Sequence, residues 1–418
     1  MFKLDFNKGL FILLYVTTFS GALRKWLTLP SALNNIFVGL IILIPTLLIF
    51  LKSEHKHEYY LSKGIFYTYL FFLAIMATNP LNHTLYHGLF GILIHLLFFG
   101  ILWAYQKNKA SFIDKKFIST TLVLLAIQVI IGSIQYSSPG DSFINRYAVD
   151  EESTAGAALV GDAVRVTGTF SYIAGYGAFI LLALFISFYL IKKEIYPKYN
   201  FLILLSVFYG ALLSGSRGTV GFVGLTIIMF FLFETKSFFN SKAIFNTFIA
   251  GVIFLFANTL IGDPLDIYVR VEKSYDNFIK RFDNSSEEGE SRLTEDIYEA
   301  IDGKYEYGLT GIGLGSTYQG ANILFGQSPQ AASIFYEGEL FRTVIEGGYL
   351  LLLLRFILLF ALIKDLNFSI GFKIYLFFII GLYCSIVFNI YSAIYLAIGL
   401  MLLSHAKETE TTKIEQNT

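Results

Sequence analysis

Long apolar runs separated by short polar connections make up most of the chain, and their lengths predict membrane-crossing helices rather than strands. The runs centre near residues 15, 43, 70, 95, 126, 180, 206, 226, 253, 353, 380 and 397. The pattern predicts an all-α polytopic membrane protein with about 12 transmembrane helices and a large helical extracytoplasmic loop between spans 9 and 10. Residues 1–261 hold spans 1–9, with an outer loop at 137–168, and residues 345–405 hold spans 10–12. Residues 262–344 form the large loop, and residues 406–418 a polar cytoplasmic tail read as disordered. Inside the loop the pattern predicts an amphipathic helix over residues 265–282, a break at Asn284-Ser285-Ser286, a second helix over residues 290–302 and a glycine-rich turn.

Composition supports this class. With 55% hydrophobic and only 15% charged residues and a mean hydropathy of +0.62, the chain holds more apolar surface than a soluble core hides. The lone Cys384 excludes an intramolecular disulfide. Lys3 and Lys8 precede an apolar stretch from Leu10 with no small-residue cleavage site near Gly21, so the first helix is read as retained.

The zero formal net charge hides an asymmetry. With a cytoplasmic N-terminus, 18 of the 22 lysines fall on the inner side, which puts both termini in the cytoplasm. Arginine does the reverse. Eight of the nine (Arg24, Arg146, Arg165, Arg217, Arg270, Arg281, Arg292 and Arg342) fall on the outer side, and Arg355 lies within the tenth span. Positive-inside sorting does not separate the two cations; bidentate recognition of phosphate or carboxylate does. The outer segment 262–342 carries 15 acidic and 7 basic residues, which argues against a nucleic-acid partner.

Several motifs bear chemistry. Ser214-Gly-Ser216-Arg217-Gly joins two apolar runs, each shorter than the roughly 20 residues that cross a bilayer straight. The turn is therefore expected to dip below the surface and offer a guanidinium and free amides to an anion. Gly308-Leu-Thr-Gly311-Ile-Gly313-Leu-Gly315-Ser316 lacks the preceding strand and the Gly-Lys-Ser ending of a nucleotide loop, and reads as a turn that returns the outer loop over a membrane-level cavity. His83 and His87 have zinc-ligand spacing but no third ligand nearby, so they read as a packing pair and no metal is expected.

Arg165, Arg217, Arg292 and Arg342, with Glu337, Glu339 and Glu346, are expected at one depth on the outer face. Arginines plus a carboxylate suit displacement of a diphosphate from a sugar, the cations stabilising the leaving anion and the carboxylate taking a proton from the attacking hydroxyl. No Asp-x-Asp metal motif appears, so the chemistry reads as metal-independent.

Five motifs then occur in order: Arg165-Val-Thr-Gly-Thr-Phe, Ser214-Gly-Ser-Arg217-Gly, Ser291-Arg292-Leu, Gly311-Ile-Gly-Leu-Gly315 and Glu346-Gly-Gly348. Together they resemble the O-antigen polymerase and O-antigen ligase superfamily, over residues 160–360. Ser20-Gly-Ala-Leu-Arg24-Lys-Trp26 looks like the polymerase side, and so does the absence of histidine from the large loop: where the ligases carry a His-Asn pair, this chain has Glu337-Gly338. Arg292 and Gly303 also match a loose Arg-x10-Gly spacing described in some polymerases.

The resemblance implies a GT-C-like membrane glycosyltransferase without a cofactor, in the bacterial cytoplasmic (inner) membrane. It would join undecaprenyl-diphosphate-linked oligosaccharides into O-antigen or a related surface polysaccharide, as part of lipopolysaccharide biosynthesis, beside membrane lipid, a chain-length regulator and a flippase. In that scheme Arg217 and Arg165 hold the diphosphate with Ser214 and Ser216, Arg292 and Arg342 hold diphosphate or sugar, and Glu339 or Glu337 sits near the acceptor hydroxyl. Tyr336, with Tyr298, Tyr305, Tyr307 and Tyr318, would stack on sugar rings. The alternatives are a ligase that moves glycan to lipid A core and a transporter or flippase. Spans that read as almost uncharged apart from Arg355 argue against transport.

Overall fold

The computed structural model describes residues 6–27, 31–50, 61–107, 115–148, 159–160, 163–235, 272, 289–334, 336 and 338–417. The regular elements among these residues are helices apart from one hairpin of two two-residue strands, in which β1 (Leu159–Val160) pairs antiparallel with β2 (Ala163–Val164). The helices are α1 (Phe6–Trp26), α2 (Ser31–Phe50), α3 (Leu61–Ala77), α4 (Leu85–Lys107), α5 (Lys115–Ser137), α6 (Ile173–Lys192), α7 (Asn200–Leu213) and α8 (Arg217–Glu234). They continue with α9 (Gly289–Tyr307), α10 (Gln319–Phe325), α11 (Pro329–Ala332), α12 (Glu339–Lys364), α13 (Ile370–Phe378, extended by a π turn over Ile379–Tyr383) and α14 (Ile390–Asn417).

Six of them, α1, α4, α5, α6, α8 and α12, are long and apolar enough to cross a membrane. Shorter apolar helices lie at Asn35–Phe50, Ser62–Ala77, Asn200–Leu213, Ile370–Tyr383 and Ile390–Ala406. Every expected centre except the one near 253, which is outside the described residues, falls in one of these helices. Their outer faces stay apolar: Phe50 is 68% exposed, Phe71 61% and Ile130 60%. Such side chains need lipid around them, so the protein is membrane-embedded.

Two expectations change, and a third is untested. The second loop helix runs over Gly289–Tyr307, longer than residues 290–302, because its last turns pack on α12 through Gly303 and Tyr307. The tail after Ala406 is helical to Asn417, where Lys, Glu and Gln extend a helix already nucleated by its apolar half. The helix expected over residues 265–282 lies outside the described residues apart from Glu272.

The chain divides into two compact units. One comprises residues 1–13, 39–112 and 285–401; the other comprises residues 14–38, 113–284 and 402–418. In the first, Ala300 of α9 packs with Leu340, Phe341, Val344 and Ile345 of α12. Asp296 of α9 accepts from the amides of Leu340 (3.1 Å) and Phe341 (2.9 Å), so a carboxylate from a neighbouring helix caps the α12 N-terminus. Burial raises the Asp296 carboxyl above its usual range, and the two amides oppose that shift. In the second unit α5, α6, α7 and α8 pack together, with Phe188 and Phe230 stacked at 3.9 Å and Lys192 paired to Glu234.

Candidate functional site

In the first unit α12 is broken at Gly348, whose φ of 65° and ψ of −170° belong to a backbone region essentially reserved for glycine. The break frees backbone groups that the glycine-rich turn after α9 takes up. Ile312 and Gly313 donate to the carbonyls of Ile345 (2.8 Å) and Glu346 (3.0 Å), while Tyr349 and Leu350 donate to the carbonyls of Gly308 (3.2 Å) and Leu309 (3.3 Å). Asn79 and Asn82 hold the same turn by donating to the carbonyls of Gly311 (2.9 Å) and Leu314 (3.1 Å). Gly311 to Thr317 are buried except Ile312, which is half-buried, so the turn is a packed insert into a broken helix. Two motifs that the sequence separates thus become one hydrogen-bonded unit.

That insertion builds a polar cluster around Glu346, which is 1% exposed. Its carboxylate accepts from Gly315 N (2.8 Å), Thr317 N (3.0 Å), Thr317 Oγ1 (2.7 Å) and His95 Nε2 (3.0 Å). Four donors fill the roughly four lone-pair sites of a carboxylate. His95 Nε2 therefore carries the proton, and its Nδ1 is buried without a hydrogen-bond partner among the described residues. Thr317 also holds Arg342, whose Nη2 donates to Thr317 O (2.7 Å) and whose Nε donates to Thr317 Oγ1 (3.3 Å). Arg342 lies over the Phe388 ring at 3.9 Å and the Tyr336 ring at 5.4 Å.

Glu339, the first residue of α12, holds the non-helical segment between the π turn and α14. It accepts from the amides of Ile386 (2.9 Å), Val387 (2.8 Å) and Phe388 (3.2 Å) and from the Ser385 hydroxyl, and pairs with Arg355 Nη2 at 3.0 Å. Three successive amides on one carboxylate form an anion nest filled from within the chain. Glu339 therefore serves as a clasp in this state and has no lone pair left for a substrate proton. Arg355 Nη1 donates to Thr343 Oγ1 at 3.0 Å.

In the second unit the Arg165-Val-Thr-Gly-Thr-Phe segment is buried from Val166 to Phe170 and not part of an exposed loop. Gln135 accepts from the amides of Thr167 (3.1 Å) and Gly168 (2.7 Å), and Gln128 accepts from the amide of Thr169 (2.9 Å). Lys25 Nζ donates to Thr167 Oγ1 (2.8 Å) and Gly168 O (2.5 Å). Gly21 lies against Phe170 and Ser171, where an added Cβ would meet the Ser171 amide nitrogen at 2.2 Å. Gly21 and Lys25 of α1 therefore grip the Arg165 segment. On its other side, a Cβ on Gly215 would lie 3.6 Å from Arg165 Cγ, so Arg165 sits beside the turn that opens α8.

In that turn Ser214 Oγ donates to Ala211 O (2.6 Å) and accepts from Ser216 N (3.1 Å), and Ser216 caps α8 by accepting from Thr219 N (3.3 Å). Both serine hydroxyls are thus engaged in the turn. Arg217 is the first helical residue, and Arg165 Nε is buried without a hydrogen-bond partner among the described residues.

Of the candidate residues, the first unit gathers Arg342, Glu339, Glu346 and Tyr336, and the second gathers Arg165, Ser214, Ser216 and Arg217. Arg292 lies on α9, and Glu337 lies outside the described residues. Tyr298 is 70% exposed, whereas Tyr307 packs on Phe341 and Tyr318 on Phe90. His87 has both ring nitrogens engaged, by Thr84 Oγ1 (2.9 Å) and Gly326 O (3.0 Å), and it packs against His83. His95 and Glu346 lie within helices long and apolar enough to cross a membrane and pair with each other there.

Sequence reasoning missed His95, Thr317, Lys25, Gln128 and Gln135. Two glutamines seven apart on one face of an otherwise apolar α5 were the available signal. Fold and site together define a helical membrane protein with two internal polar clusters. No protein-family model, curated protein or solved structure matches the chain.

Proposed function

We propose that the chain is an O-antigen polymerase type of glycosyltransferase, which lengthens a glycan by transferring it from an undecaprenyl diphosphate carrier to the next lipid-linked repeat unit. The observation that carries this reading is the placement of Arg165 beside the Ser214–Arg217 turn at the start of α8, with its Nε buried and unpartnered among the described residues. Two arginine-bearing motifs and one helix N-terminus suit a diphosphate.

In the reaction the bond between the anomeric carbon and the diphosphate oxygen breaks as a bond to the acceptor oxygen forms, and undecaprenyl diphosphate leaves as an anion. Arg165 and Arg217 stabilise that anion. The acceptor hydroxyl gives up its proton to a general base as the new bond forms.

Complementation of a polymerase-null strain tests the assignment. The wild-type chain restores a ladder of long glycans, while Arg217→Ala at matched membrane expression lowers transfer on the order of 10²-fold and leaves core bearing at most one repeat. A full ladder from Arg217→Ala would remove the arginine from the mechanism. Long lipid-linked chains without any glycan on core in the null strain would indicate a ligase instead.

A further inference from the structure

The first unit contains a chain of contacts that the transfer scheme does not use. His95 donates to Glu346, Glu346 accepts both the amide and the hydroxyl of Thr317, and Thr317 accepts two donors of Arg342 through its carbonyl and its hydroxyl. His95, Glu346 and Thr317 are each at most 1% exposed. The Phe388 and Tyr336 rings flank the guanidinium, and Phe388 also meets the His95 ring edge-on at 5.7 Å between centroids. Nε and Nη2 of Arg342 are thereby fixed, and Nη1 has no hydrogen-bond partner among the described residues.

We infer that His95, Glu346 and Thr317 are positioning residues that lock the Arg342 guanidinium with its Nη1 edge presented to an oxyanion. The inference rests on the transferase reading only for the origin of that oxyanion, which is a diphosphate of the lipid carrier or a carboxylate of an acidic sugar. The physical reason is preorganisation. A free arginine side chain loses several rotors when it meets an anion, whereas a guanidinium tied at two nitrogens and packed between rings has already lost them. Glu346 sets the arrangement because its Oε1 accepts both the Thr317 amide and the Thr317 hydroxyl, while its Oε2 is held by Gly315 N and His95. His95 in turn fixes the carboxylate, as a ring N–H fixes a neighbouring acceptor elsewhere.

The test reads Arg342 directly. The protein is labelled with ¹⁵N at arginine Nε, in detergent, and the Arg342 resonance is identified by its loss in Arg342→Lys. Inorganic pyrophosphate and glucuronate are titrated separately into the wild type, Thr317→Val and Thr317→Ser. The wild type shows a slowly exchanging Arg342 Nε–H that shifts with at least one probe, and the responding probe identifies the class of oxyanion. Thr317→Val, which keeps the shape and removes the hydroxyl, moves the resonance to the position of a free side chain and weakens that probe about 10-fold or more. Thr317→Ser restores both.

An Arg342 resonance unchanged in Thr317→Val, or deaf to both probes in the wild type, overturns the inference whatever the glycan ladder shows. A responsive, Thr317-dependent Arg342 in a protein that fails to polymerise leaves the positioning intact and refutes the transferase reading.

Discussion

Glu346→Ala unfolds the first unit at a markedly lower temperature than the wild type. The substitution strands the Gly315 and Thr317 amides, the Thr317 hydroxyl and His95 Nε2 in a buried site. Removing one member of a buried, hydrogen-bonded charged group costs about 3–5 kcal/mol. The same change releases the glycine-rich turn, because the carboxylate holds two residues just beyond the point where that turn leaves α12. Glu346→Gln recovers only part of the loss, since its amide nitrogen turns a donor toward donors. The check is the apparent unfolding midpoint in detergent at one fixed scan rate, followed by tryptophan fluorescence. Equal midpoints for Glu346→Ala and wild type would show that the cluster does not hold the turn in place.

Gly348→Ala is the second large effect, and it acts through the backbone. An added Cβ would lie 2.2 Å from the Leu309 carbonyl carbon and 2.4 Å from the Thr310 amide nitrogen, neither of which can rotate away. The residue also has a φ of 65° and a ψ of −170°, which costs a non-glycine residue on the order of 1–3 kcal/mol. Overpacking against fixed atoms adds about 1–3 kcal/mol. The expected outcome is expulsion of the turn from the helix break, read as new protease cleavage within residues 308–315 and faster amide exchange at Ile312 and Gly313, which donate into α12. Protection equal to wild type at those two amides would show that the break tolerates a side chain.

These two positions show what the sequence made legible. The apolar runs announced the helices because lipid demands a long, nearly uninterrupted apolar segment, and every expected centre among the described residues falls on one. Arg165, Arg217, Arg342 and Glu346 stood out because a charge beside such a segment needs a reason. Their partners did not stand out, because the pairing is long-range: His95 meets Glu346 across 251 residues and Lys25 meets Gly168 across 143. A single histidine inside an apolar run has no periodic signature. Gly347-Gly348 within a helical pattern hinted at an interruption, yet nothing local says that a turn more than thirty residues upstream fills it. Glu339 was legible as a carboxylate at a helix start, but its engagement with the Ile386–Phe388 amides appears only in three dimensions.

Reconstitution asks whether the protein alone lengthens a glycan. The purified protein in phospholipid vesicles receives undecaprenyl-diphosphate-linked repeat units and nothing else, and products are followed by mass together with release of free undecaprenyl diphosphate. The expected products are glycans of two units and longer, with one carrier diphosphate released for each new linkage. No elongation in these vesicles, with glycan instead appearing on lipid A core when that acceptor is added, would contradict the polymerase reading.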